Sequence, residues 1–225
     1  MGKSIAIWFG FLPLIYAANI YSPFEIPKAW YVILFVMILA CVSLFSSKIN
    51  RYKFTLFSSL PILLVMTLFF SSMLNHTFLQ SLFGNPARFD GLFTLVHLVV
   101  FSIIIGIVWD HAWDKLFCIG VSAGSIVVSL INIVLIMGKN SFSYGFGNPN
   151  ILAGYLAVTT VFTLWNITQS TKYYKVFWIL GLMTQIAAIY LAKSWGGLLG
   201  IAITFLLFMT KKINIYHLFI GAVLT

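Results

Sequence analysis

The sequence predicts an all-α, polytopic integral membrane protein, and three observations carry that prediction. Of its 225 residues 61% are hydrophobic and only 8% charged, with a mean hydropathy of +1.04. A soluble domain carries about 25% charged residues, so this chain has too few to cover itself with a water-facing surface. Apolar runs of membrane-crossing length also recur along the chain, and short loops holding most of the basic residues separate them.

A crossing helix needs about 20 apolar residues, within a range of about 17 to 25. The first such run is Ser4 to Tyr21, followed by the loop Ser22 to Lys28. The second runs from Ala29 to Ser47 and stops at Lys48, Arg51 and Lys53. The third, Phe54 to Phe70, contains Pro61, which predicts a kink. A longer polar loop, Ser71 to Gly91, leads to the fourth run, Leu92 to Trp109. Asp110 to Lys115 is a turn into the fifth, which ends near Met137. The sixth spans Pro149 to Thr168, and Lys172 and Lys175 divide it from the seventh, Val176 to Ala192. Lys193 to Gly197 reads as a tight turn into the eighth, which ends at Lys211 and Lys212. A ninth run begins near Ile215 and stops at Thr225, too short to cross. The expectation is one transmembrane helical domain over residues 1–225, with about eight complete transmembrane helices and an incomplete ninth.

The net charge of +9, from 13 Lys and Arg against 4 acids, fits topology and lipid head groups. Alternate loops on one side hold nine basic residues and those on the other hold four: Lys28, Arg88, Lys139 and Lys193. The positive-inside rule then places the N-terminus in the cytoplasm and those four outside. Topology gives them no reason to be there. Cys41 and Cys118 both fall inside apolar runs with no metal-ligand spacing, and read as small core residues.

The run Gly145-Phe146-Gly147-Asn148-Pro149-Asn150 that opens the sixth span has a local logic. Gly145 and Gly147 permit a sharp elbow. Asn148, pushed out of the helical region by the following proline, is a good N-cap. Pro149 fits the first helical position. The helix end so formed is either simply a well-capped start or a place to hold an anion. Gly84-Asn85-Pro86 repeats the pattern before the fourth span, where Arg88 either pairs with Asp90 or offers its planar fork to a phosphate.

Within the spans, Ser122, Ser125, Ser129 and Asn132 share one helical face. They read as interhelical packing with hydroxyls bonding across. His97 and Gln185 are more open to a functional reading, although a lone histidine is usually a satisfied packing residue. Ala153, Ala157, Gly196, Gly197 and Gly200 read as close-packing positions. There is no intramembrane carboxylate pair for a proton relay, no nucleotide loop and no metal box. Nucleic-acid binding lacks a basic, aromatic-studded soluble face.

Taken together, the outer-face motifs resemble the O-antigen ligase and O-antigen polymerase family of bacterial membrane glycosyltransferases. The matching pieces are Pro27-Lys28, Arg88-Phe89-Asp90-Gly91-Leu92, Gly147-Asn148-Pro149-Asn150-Ile151-Leu152-Ala153-Gly154-Tyr155, and Ser194 with Gly196-Gly197. The resemblance implies a multi-pass protein of the bacterial plasma membrane that needs no metal or other cofactor. Its donor would be a glycan on a polyprenyl pyrophosphate, and its acceptor a glycan, a lipid or a protein. Lys28, Arg88, Asn148, Asn150, Lys193 and Ser194 would hold the donor pyrophosphate, while Asp90, Gly91, Gly147, Pro149 and Gly154 would shape the site. Two departures are visible. Trp195 stands where the family carries an arginine, and the family's large catalytic outer loop would lie beyond Thr225, so this chain alone is expected to be inactive. From another class, a small transporter or a non-catalytic membrane subunit is the alternative, with His97, Pro61 and the doubled Gly-Asn-Pro in its favour.

Overall fold

The structure is a computed structural model that describes residues 2–17, 23–44, 56–74, 78–85, 91–108, 111–138 and 144–209. Among these residues the chain is helical, with no strand. The α-helices are α1 (Gly2–Phe11), α2 (Glu25–Leu44), α3 (Leu56–Leu74), α4 (Phe78–Phe83), α5 (Leu92–Val108), α6 (Asp114–Met137), α7 (Pro149–Gln169), α8 (Lys172–Leu191) and α9 (Trp195–Met209). Short 3-10 turns follow α1 and precede α6.

Four helical stretches are long and apolar enough to cross a membrane: Glu25–Val42, His111–Met137, Pro149–Gln169 and Lys172–Leu191. Shorter apolar helices occupy Ser4–Leu14, Pro61–Leu74, Leu92–Gly106 and Trp195–Leu206. The expected count of eight crossings therefore becomes four of crossing length among the described residues. The ninth apolar run lies outside them.

Several boundaries differ from expectation for physical reasons. α2 begins at Glu25, so Glu25 and Lys28 lie in its first turn and not in a preceding loop. Pro27 falls within that turn, where its lost N–H has no intrahelical acceptor to miss. α3 continues to Leu74, and six residues of the expected polar loop form α4. α4 is held by aromatic contacts, Phe69 to Phe78 at 5.7 Å and Phe83 to Phe93 at 6.4 Å between ring centroids. α8 starts at Lys172, because long lysine stems extend along a helix end while their ammonium groups reach water. Gly196 and Gly197 belong to the first turn of α9, which leaves Ala192, Lys193 and Ser194 as the connection.

Contacts divide the chain into two compact units, one of residues 1–15 with 112–225 and one of residues 16–111. In the second unit α5 packs against α2, α3 and α4. Ile33, Val36, Leu39, Leu92 and Ile104 are buried there. Gly91 is required: a Cβ on it would collide with the backbone of Leu82, Phe83 and Gly84 where α4 ends. His97 stacks on Phe93 at 4.6 Å, and its Nδ1 lies 2.7 Å from the Phe93 carbonyl, so it is satisfied within its own helix.

The first unit is built on two close crossings. α1 lies against α6 in parallel, with Ala6 and Gly10 facing Gly120 and Gly124 so closely that a Cβ on either α6 glycine would meet α1 backbone. This is the small-xxx-small arrangement, in which missing side chains let backbones approach. α7 and α9 make the other crossing: a Cβ on Gly197 would stand 2.6 Å from that of Ala153, and one on Gly200 3.0 Å from that of Ala157. Both contacts advance in the same direction, so α7 and α9 are parallel. α8 returns antiparallel to α7 after a two-residue connection, Ser170 and Thr171. Leu152, Leu156, Val128, Ala188 and Ile189 form the apolar core between them.

A buried polar seam runs through this core. The face bearing Ser122, Ser125, Ser129 and Asn132 is fully buried, as are Thr159, Thr160, Thr163 and Asn166 on α7 and Gln185 on α8. The hydroxyls do not donate across the interface as expected. Ser125 donates to the Ser122 carbonyl at 2.9 Å and Ser129 to the Ser125 carbonyl at 2.8 Å, both within α6. The cross-helix donors are carboxamides: Asn166 Nδ2 to Ser122 Oγ at 2.9 Å and to the Cys118 carbonyl at 3.0 Å, and Gln185 Nε2 to Ser125 Oγ at 2.6 Å. Cys118 is buried, but Cys41 faces outward and is not a core residue.

Candidate functional site: paired helix N-termini

The elbow before α7 forms as its residue types require. Gly145 and Gly147 take positive φ, 83° and 63°, in the left-handed region where a side chain would be strained. Asn148 is extended, at φ −137° and ψ 125°, and its Oδ1 accepts from the Asn150 backbone N–H at 2.8 Å. Pro149 is the first helical residue. The elbow is anchored from below. Asn132 Nδ2 donates to the Tyr144 carbonyl at 3.1 Å, Tyr144 Oη donates to the Leu14 carbonyl at 3.3 Å, and Phe146 lies on Tyr155 with ring centroids 4.9 Å apart.

The start of α9 is built in parallel fashion. Lys193 sits at φ 52°, a left-handed conformation that closes α8, with its N–H donating to the Tyr190 carbonyl at 3.0 Å. Ser194 is buried, and its Oγ accepts from the Gly197 N–H at 3.3 Å, so it serves α9 as Asn148 serves α7. Because Gly197, third in α9, lies against Ala153, fifth in α7, the two N-termini differ in height by about 3 Å at 1.5 Å per residue.

The first N–H groups of a helix have no acceptor within it. Here Pro149 contributes none, and Asn148 and Ser194 cover one each. The amides of Ile151, Trp195 and Gly196 remain, and all three residues are exposed, Trp195 at 85%. Lys193 is exposed beside them. This local donor set matters more than any summed helix dipole, because the C-terminus of α8 reaches the same end and offsets the positive ends of α7 and α9. Such a set suits an anion with several oxygens.

Of the residues predicted to hold the donor, the structure thus brings Asn148, Asn150, Lys193 and Ser194 together. Asn148 and Ser194 act as caps, and the Asn150 backbone N–H is taken up by the Asn148 cap, so it is not one of the free donors. Lys28 belongs to the other compact unit, half-buried in the first turn of α2. Arg88 and Asp90 lie outside the described residues. Of the shaping residues, Gly147, Pro149 and Gly91 have clear structural roles. Gly154 does not, since a Cβ on it would meet nothing within 4 Å, and Gly196, expected as a close-packing position, faces open space in the same way. The amides of Trp195 and Gly196 went unread in the sequence, because the turn predicted there hid a helix start with Ser194 as its cap. Among the described residues no group of His, Cys, Asp and Glu could hold a metal. Comparison with protein-family models, with curated proteins and with solved structures finds no match for this chain.

Proposed function

We propose that the chain is the membrane core of a glycosyltransferase similar to the O-antigen ligases and polymerases, whose paired helix ends hold the pyrophosphate of a polyprenyl-linked glycan donor. The observation that supports this reading most is the side-by-side placement of the α7 and α9 N-termini. Two of the outer-face motifs that carry the resemblance, Asn148-Pro149-Asn150 and Ser194 with Gly196-Gly197, open those two helices. Phosphate oxygens would accept from the Ile151, Trp195 and Gly196 amides and from Lys193. Donors fixed by helix geometry need no reorganisation as charge develops on the departing pyrophosphate. A glycan, lipid or protein acceptor would then take the sugar.

The bases on alternate loops fit a multi-pass bacterial plasma-membrane protein with a cytoplasmic N-terminus. The helix directions within the first unit are compatible with that alternation: Asn166, late in α7, reaches Cys118 and Ser122, early in α6, while Leu152, early in α7, clusters with Val128, so α7 runs opposite to α6. The test is binding. Protein in nanodiscs should retain a polyprenyl pyrophosphate more tightly than the uncharged polyprenol, and Lys193→Ala should weaken retention of the pyrophosphate alone. Equal loss of both lipids would point to damage of the fold; no preference for the pyrophosphate would favour a small transporter or non-catalytic subunit.

A further inference from the structure

The polar seam between α6, α7 and α8 contains an unmet demand at Gln185. This residue has no exposed surface, and its Nε2 donates to Ser125 Oγ at 2.6 Å, yet its Oε1 has no partner. A buried amide oxygen without a donor is costly, and native structures rarely leave one so. The seam's serine and threonine hydroxyls do not meet it: Ser125, Ser129, Thr159, Thr160 and Thr163 all donate to carbonyls of their own helices. Reversing the amide does not remove the demand. Ser125 would then turn its hydroxyl towards Oε1, and the NH2 group would be the end without a partner.

The guest must therefore satisfy an acceptor in one orientation and a donor in the other, and be small enough for a closed interior. A cation meets only the first condition. No Asp or Glu stands in the seam to offset the cost of stripping its water. Water meets both conditions, and buried waters that make about three hydrogen bonds occur roughly once per 27 residues in globular proteins.

We propose that a buried water is bound at the Gln185 carboxamide, between α6 and α8, donating to Oε1 and completing the seam through neighbouring hydroxyl oxygens. The joint between these helices is then hydrated and not a dry polar zipper. This site is separate from the paired helix ends, and its failure would leave the reading of those ends untouched.

A structure of the whole chain in nanodiscs, at a resolution that shows waters, tests the site directly. One density about 2.6–3.2 Å from the Gln185 carboxamide, on the end away from Ser125, is expected. It should vanish in Gln185→Met. A dry site, or a direct protein donor there, overturns the proposal. Thermal unfolding in sodium, potassium and choline chloride at equal ionic strength gives an independent check. Equal midpoints are expected, and a rise in one cation that Gln185→Met abolishes would overturn the water in favour of that ion.

Discussion

Single residues at the paired helix ends have separable structural and electrostatic roles. Asn148 covers the Asn150 N–H, so Asn148→Ala should cost about 1 kcal/mol of stability, and Asn148→Asp should retain most of it. Chemical unfolding of the purified protein checks both. Lys193 holds a left-handed conformation that L side chains adopt at a cost of about 1–2 kcal/mol. Lys193→Gly should therefore keep or raise stability while lowering affinity for a pyrophosphate lipid. Loss of stability together with affinity would make Lys193 a structural residue only. The Asn148 cap was legible in the sequence because cap, proline and glycine act over four residues. Ser194 was legible as a motif residue but not as a cap, because the adjacent Gly196-Gly197 pair looks like a turn until Gly197 is seen packed against Ala153.

At the scale of elements, glycines fall into two classes that the sequence does not distinguish. Gly120 and Gly124 face the α1 backbone and Gly197 faces Ala153, whereas Gly154 and Gly196 face open space. Gly124→Val should separate α1 from α6 and lower the unfolding midpoint markedly. Gly154→Ala should stabilise α7 by about 0.5–1 kcal/mol, the usual difference between the two residues within a helix. Thermal scans of the two variants side by side check the contrast. If Gly154→Ala instead weakened pyrophosphate binding without loss of stability, the glycine would be serving a ligand. α5, α6 and α7 lie within about two residues of expectation, the usual scatter at helix ends. α4 was not foreseen, since six residues are too few for periodicity and its stability comes from Phe69 and Phe93 on other helices.

Across the whole molecule, the membrane class was legible from composition because bulk hydropathy needs no tertiary information. The crossing count was less so: hydropathy cannot say where a helix breaks, and Pro13 in the 3-10 turn after α1 is such a break. The buried seam was legible in part, through the serine face of α6 and Gln185, because each α7 threonine is unremarkable alone and the partners that Asn166 and Gln185 bridge to lie on other helices. The central claim concerns the donors left free where α7 and α9 begin, and Trp195 offers a direct way to remove one of them. Proline is accepted at the first position of a helix, where its missing N–H breaks no intrahelical bond. Trp195→Pro should therefore keep α9 while deleting an amide, and Trp195→Ala, which keeps that amide, controls for loss of the indole. The measurement is affinity for a polyprenyl pyrophosphate, relative to the polyprenol, in nanodiscs. The predicted result is that Trp195→Pro loses about tenfold in that preference, a difference of about 1.4 kcal/mol, while Trp195→Ala retains it. Equal preference in both variants, with α9 intact, would contradict a phosphate-holding role for the paired helix ends.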